Sequence, residues 1–88
     1  MAQEVKNDVL SRLKRIEGQV RGLQRLIDEG RDCAEVVNQL AAARHALDRV
    51  GFMILSHRLE ECMKERMANG ADSETAMNEA MKLFMTLA

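Results

Sequence analysis

The chain contains no proline, no tryptophan and no tyrosine, and only two phenylalanines among its 88 residues. Scarce aromatics argue against a β-rich fold, since strands draw on aromatic and β-branched side chains. A small core built without them is marginal alone, so association of several copies is the expected remedy. No apolar run approaches the roughly 18 residues of a membrane span, so no membrane partner is expected. No export signal is apparent, and the two cysteines are expected as reduced thiols in the cytoplasm rather than as a disulfide framework. There is no nucleophile–base pair, phosphate-binding loop or carboxylate cluster, and an enzyme is not expected.

What remains is Leu, Val, Ala, Ile and seven methionines, arranged with helical periodicity. One domain over residues 1–88 and three helices are predicted. The first covers about residues 4–28, with Val9, Leu13, Ile16, Val20, Leu23 and Ile27 as an apolar stripe and Gly30 as the stop. Gly18 and Gly22 lie inside it, where glycine costs helix stability, so a close approach by another helix or a ligand is expected there. The second opens at Asp32 with Glu35 three residues on, a capping-box pattern. Val36, Val37, Leu40, Ala41, Leu47, Val50, Ile54, Leu55, Leu59, Cys62 and Met63 then read as one long stripe. It runs to Asn69–Gly70, interrupted only by Gly51. At 1.5 Å per residue this helix is about 55 Å long, more than a compact chain of this size can cover, so it calls for a partner outside its own chain. The third runs from a Ser73 cap to about Leu87, with Ala76, Met77, Ala80, Met81, Phe84 and Met85 on its apolar side.

The net charge of −1 conceals an uneven distribution. Arg12, Lys14, Arg15, Arg21 and Arg25 face a single acid, Glu17, whereas acids outnumber bases from Glu60 onward. Arg12, Arg15 and Gln19 fall on one side of the first helix, and Lys14, Arg21 and Arg25 are read as flanking it. Such a cationic face is the footprint of duplex DNA binding, and a solvated helix surface is the plainer alternative.

Cys33 and Cys62 stand 29 residues apart on the second helix, about 43 Å along its axis, far beyond the reach of a disulfide within one chain. In an antiparallel dimer they can face one another. The register that joins them also sets Val36 opposite Leu59, Leu40 opposite Leu55, Ala41 opposite Ile54, Arg44 opposite Gly51 and Leu47 opposite Asp48, with a two-fold axis near Leu47–Asp48. Cys33, at a helix start, is the expected attacking thiolate, with Asp32 opposing it, and Cys62 the resolving thiol. Two small buried hydrophobes are the alternative. The stretch "SHRLEEC" suggests a metal ligand, but His57 is about 140° from Cys62 around the helix. Arg58, which does not ligate metals, takes the facing position. His45 is far from both thiols.

The blocks "RLKRIEGQVRGL", "DEGRDC" and "RLEEC" make nearly the whole chain resemble the CsoR/RcnR family of bacterial repressors. The resemblance implies an all-α protein without a helix-turn-helix, an antiparallel dimer with a four-helix core, and a disc-shaped dimer of dimers. It implies double-stranded operator DNA bound through Arg12, Lys14, Arg15, Gln19 and Arg21 of the first helix and Arg44 and Arg49 of the second. Copper sensors of the family place a histidine four residues before the second cysteine. Here that residue is Arg58, so the pattern is most similar to the persulfide-sensing CstR branch. The expectation is a repressor released when a reactive sulfur species links Cys33 to Cys62 of the neighbouring subunit, with no cofactor. The alternatives are a Cu(I)-responsive repressor using the same two thiolates, and a helical scaffold that does not bind DNA.

Overall fold

The computed structural model describes residues 1–88 and contains three α-helices: α1 (Gln3–Asp28), α2 (Cys33–Ala68) and α3 (Ser73–Leu87). They form two compact units. One, Ala2–Val50, holds α1 and the first part of α2. The other, Gly51–Ala88, holds the rest of α2 with α3, and Met1 joins it through an ion pair of its amino group with Glu61. No helix is long and apolar enough to cross a membrane.

The helix ends have local causes. α1 stops at Gly30, whose φ of 67° suits a residue without a Cβ. There the Gly30 N–H donates to Ile27 O and the Arg31 N–H to Leu26 O, tying up carbonyls of the last turn. Gly70, at φ 96°, ends α2 in the same way: Gly70 N–H donates to Met67 O and Ala71 N–H to Arg66 O. The capping box at the start of α2 is only half formed. Asp32 Oδ1 accepts from the Glu35 N–H at 2.9 Å, but the Glu35 carboxylate is held by Arg31 at 2.8 and 3.0 Å instead of reaching back. A two-pronged guanidinium contact outcompetes a backbone N–H for that carboxylate. The cap of α3 is Asp72 rather than Ser73, because Asp72 Oδ1 accepts from the Thr75 N–H at 2.7 Å.

In the Ala2–Val50 unit the core is Val9, Ile16, Ala43 and Val50, the last only 1% exposed. Leu13, Leu23, Val36 and Ala41 are half-buried around it. The expected single stripe of α2 is in fact divided. Val36, Ala43 and Val50 turn inward, while Val37, Leu40 and Leu47 remain 58%, 52% and 52% exposed on another side. Val20 and Ile27 of the α1 stripe are exposed too. In the second unit Ala76 and Ala80 are buried and the two phenylalanines, Phe52 and Phe84, meet with ring centroids 6.4 Å apart. Met77, Met81, Phe84 and Met85 of the expected apolar side of α3 stay in solvent.

The Thr75 N–H holds the Asp72 carboxyl below its usual range. A carboxyl whose value is lowered by folding stabilises the fold above its unfolded value and loses that contribution as pH falls through the folded one. We predict that Asp72→Ala lowers the thermal midpoint at neutral pH, that Asp72→Asn largely preserves it, and that parent and Asp72→Ala converge on acidification below the usual aspartate range. Thermal melts across pH check this.

Candidate sensor thiols and cationic face

Cys33 is the first residue of α2 and is exposed. Its surroundings are set by the loop before it. Asp32 is engaged with the Glu35 N–H, and Arg31 is held between Glu35 and Glu29, contacts that raise the guanidinium's affinity for its proton. On α2, Val37, Leu40, Arg44 and Leu47 follow Cys33 at spacings of three and four, one row along the helix, and all are exposed.

Cys62 is half-buried in the second unit. It lies at the edge of an open apolar groove of about 410 Å³, lined by Gly51, Leu55, Arg58 and Leu59 of α2 and by Leu83 and Leu87 of α3. Gly51 lies against the end of α3, where a Cβ would stand 3.4 Å from a Leu87 methyl, an ordinary van der Waals contact. Arg66, one turn beyond Cys62, binds Glu79 with two contacts of 3.0 Å and so ties α2 to α3 beside the thiol.

The histidines do not join either thiol. His57 is half-buried, His45 is exposed, and nowhere in the chain do three His, Cys, Asp or Glu side chains converge as a metal-binding group. Arg58, four residues before Cys62, donates to Glu61 at 3.2 Å. The donors that suit a soft cation are therefore the two thiols.

The cationic face separates by ion pairing. Of thirteen Lys and Arg residues, Arg12, Arg25, Arg31, Arg58, Lys64 and Arg66 pair with carboxylates. Seven do not, and five of those seven are Lys14, Arg15, Arg21, Arg44 and Arg49, all exposed. These are charges free to meet phosphates. The arrangement around α1 differs from the flanking pattern expected. At 100° per residue, Lys14 and Arg21 stand nearly opposite Arg12, pointing straight outward. Arg12 and Gln19 instead border the packed side and are half-buried. Arg12 is further occupied by Asp8 at 3.2 Å, and Gln19 has its carboxamide oxygen shut away from solvent without a hydrogen-bond partner.

One contact that sequence reasoning did not find joins α1 to α2. The Gln39 side chain donates from Nε2 to the Gln19 backbone oxygen at 3.0 Å, passing over Gly22. A Cβ on Gly22 would lie 3.1 Å from that nitrogen, so the close approach expected at the glycines is real at Gly22. Gly18 has nothing near it. The two glycines look alike in sequence, and only the position of Gln39 on the facing helix distinguishes them.

A family model described as metal-sensitive transcriptional repressor matches residues 5–86. The copper-sensing transcriptional repressor CsoR of Bacillus subtilis (strain 168) is 34% identical over 79 residues, which are 90% of this chain and 77% of that protein. Among solved structures, the copper-sensing repressor CsoR with Cu(I) from Geobacillus thermodenitrificans NG80-2 superposes with a TM-score of 0.82 at 31% identity, covering 98% of this chain and 88% of that one. The nickel-responsive transcriptional regulator InrS does so with a TM-score of 0.78 at 36% identity, covering 93% and 91%.

A cation that neutralises a phosphate releases about one condensed counterion. We predict that Lys14→Ala, Arg15→Ala and Arg21→Ala each weaken duplex binding and lower the log–log salt slope by about one. Arg12→Ala, already paired with Asp8, changes the slope less. Fluorescence anisotropy over a salt series reads both quantities.

Proposed function

The chain belongs to the family of metal-sensitive transcriptional repressors, not to a family of enzymes, and from that membership we propose that it is a DNA-binding repressor whose operator affinity is set by Cys33 and Cys62 acting across two subunits. The reading rests on one observation. The groove residues Gly51, Leu55, Arg58 and Cys62 and the exposed row Arg44, Leu40, Val37 and Cys33 match one for one in a single antiparallel register. In that register a second copy lays its exposed row along the groove, and each Cys33 reaches Cys62 of the partner subunit. The occupant of the groove is therefore another copy of this chain. Covering each half-exposed Leu or Val in this way contributes roughly 1 kcal/mol. A dimer of such dimers multiplies the patches carrying Lys14, Arg15, Arg21 and Arg49, with the long Arg44 side chain, opposite Gly51, reaching out of the seam to join them, which compensates for a net charge of −1. Operator binding places the protein in the cytoplasm, and residues 1–88 act as one functional domain.

Two classes of inducer suit this thiol pair. The relatives favour Cu(I): two of the three named above are copper-sensing, and soft thiolates are the ligands that select Cu(I). Cys33 and Cys62 of the partner subunit would hold the ion, and bridging two chains it would favour one dimer geometry over another. Here the inducer is a metal, in place of the cofactor-free sensor expected from the motif.

A second reading is favoured by this chain's own residues. Arg58, bound to Glu61, occupies the position four residues before Cys62, and neither histidine joins a thiol in a metal-binding cluster of three. That donor set is complete for sulfur chemistry without a third ligand. A persulfide or polysulfide transfers its outer sulfur to the Cys33 thiolate and departs as a thiolate. Cys62 of the partner subunit then attacks. If it attacks the inner Cys33 sulfur, hydrosulfide leaves and a disulfide remains. If Cys33 carries a longer sulfur chain and Cys62 attacks its penultimate sulfur, hydrosulfide again leaves and sulfur is retained in the bridge. The sulfur donor is the oxidant in both cases.

One titration separates these readings. A duplex enriched from a random-sequence pool by the reduced protein serves as the DNA. We predict tight binding by reduced protein and at least tenfold weaker binding after one of two treatments. With Cu(I) as inducer, stoichiometric Cu(I) weakens binding and chelation restores it. With sulfur, polysulfide weakens it, a thiol reductant restores it, and mass spectrometry finds Cys33 and Cys62 joined. If no duplex is enriched at low salt, the chain is a scaffold without DNA binding.

A further inference from the structure

We infer that Gln39 is a positioning residue for the cationic face of α1, holding Lys14, Arg15 and Arg21 at a fixed setting relative to α2. This deepens the repressor reading and rests on it.

The contacts between α1 and α2 in the Ala2–Val50 unit are otherwise apolar, through Val9, Ile16, Ala43 and Val50. Apolar burial is non-directional and leaves two helices free to slide or rotate by small amounts. A hydrogen bond is directional. Only one side-chain hydrogen bond joins the two helices here, from Gln39 Nε2 to the Gln19 backbone oxygen at 3.0 Å. Its acceptor is an interior helix carbonyl, which keeps a second lone pair beyond the helix's own bond. Gly22 gives the donor room, since a Cβ there would stand 3.1 Å from Gln39 Nε2 and the amide would have to shift.

Three observations meet at this point. The bond lands midway along the cationic face, four residues after Arg15 and two before Arg21. The glycine notch beneath the Gln39 amide is occupied, whereas Gly18 one turn earlier faces empty space. Beside it the Gln19 carboxamide oxygen is enclosed without a partner. An enclosed acceptor without a partner is costly, and the Gln19 side chain is kept in place by packing rather than by a hydrogen bond of its own. The setting of α1 against α2 at this point thus rests on the one directional bond from Gln39. Gln39 also lies six residues beyond Cys33 on a continuous helix, about 9 Å along the axis. A shift of the start of α2 when Cys33 is engaged carries the Gln39 amide with it.

The test uses the full chain, reduced and thiol-engaged, with the duplex enriched from the random pool. Gln39→Leu removes the donor and keeps the bulk. Gly22→Ala leaves Gln39 in place but pushes its amide away, while favouring the helix. Both variants are expected to keep parent helicity and assembly size, to lose roughly three- to tenfold in reduced-state affinity, and to keep the parent salt slope, because no phosphate contact is removed. The gap between reduced and thiol-engaged affinities should also narrow in both. Parent-like affinity in both variants overturns the inference, and so does a salt slope lowered by about one in Gln39→Leu, which would mark Gln39 as a phosphate contact. A parent protein that binds no duplex overturns the repressor reading and this inference together. A parent whose binding responds to its thiols, beside variants that behave identically, overturns only the role of Gln39.

Discussion

Burial of α2 is the constraint on which the rest depends. This 36-residue helix carries apolar side chains on more than one side. Within the Ala2–Val50 unit the side with Val36, Ala43 and Val50 is turned inward, and the side with Val37, Leu40 and Leu47 is not. An exposed apolar row of this length on a chain without aromatic bulk marks an interaction surface. Cys33 stands at one end of that row. Cys33 and the exposed apolar row thus share one face of α2, and on the proposed reading an inducer that engages Cys33 acts on the surface that would pair with a second copy.

The unpaired positive charges follow from a different constraint. Ion pairing occupies Arg12, Arg25, Arg31, Arg58, Lys64 and Arg66 and leaves Lys14, Arg15, Arg21, Arg44 and Arg49 unpaired. Free guanidinium and ammonium groups give affinity through counterion release and little sequence discrimination by themselves. Discrimination therefore depends on how accurately the helices present them. A single directional contact at Gln39 is suited to that task in a manner that apolar packing is not.

Much of this was legible in the chain itself. The three helices fall within a residue or two of where periodicity and the Gly30 and Gly70 stops put them, since both signals are local. What was hidden depends on competition between neighbours. Asp72 and Ser73 are both good caps, and the structure selects the one whose oxygen meets the Thr75 N–H. Glu35 fits a capping box until Arg31 takes its carboxylate. The apolar residues of α2 read as one stripe because a helix apolar on two sides gives no clean periodic signal. The thiol pairing was legible only as a spacing, because the two cysteines lie far apart along one helix and the proposed contact needs a second chain. Arg58 gave the clearest chemical signal, by standing where a histidine ligand would.

The most direct measurement of the central claim, that the two thiols meet between chains, uses two single variants. Cys33→Ser and Cys62→Ser chains are treated separately and as an equimolar mixture, with polysulfide or with a mild thiol oxidant, and resolved without reductant. We predict a covalent dimer in the mixture, joined between Cys33 of one chain and Cys62 of the other, and far less in either variant alone. Equal cross-linking in one variant alone, or a mixture that stays monomeric while the unmodified chain cross-links within itself, would contradict it.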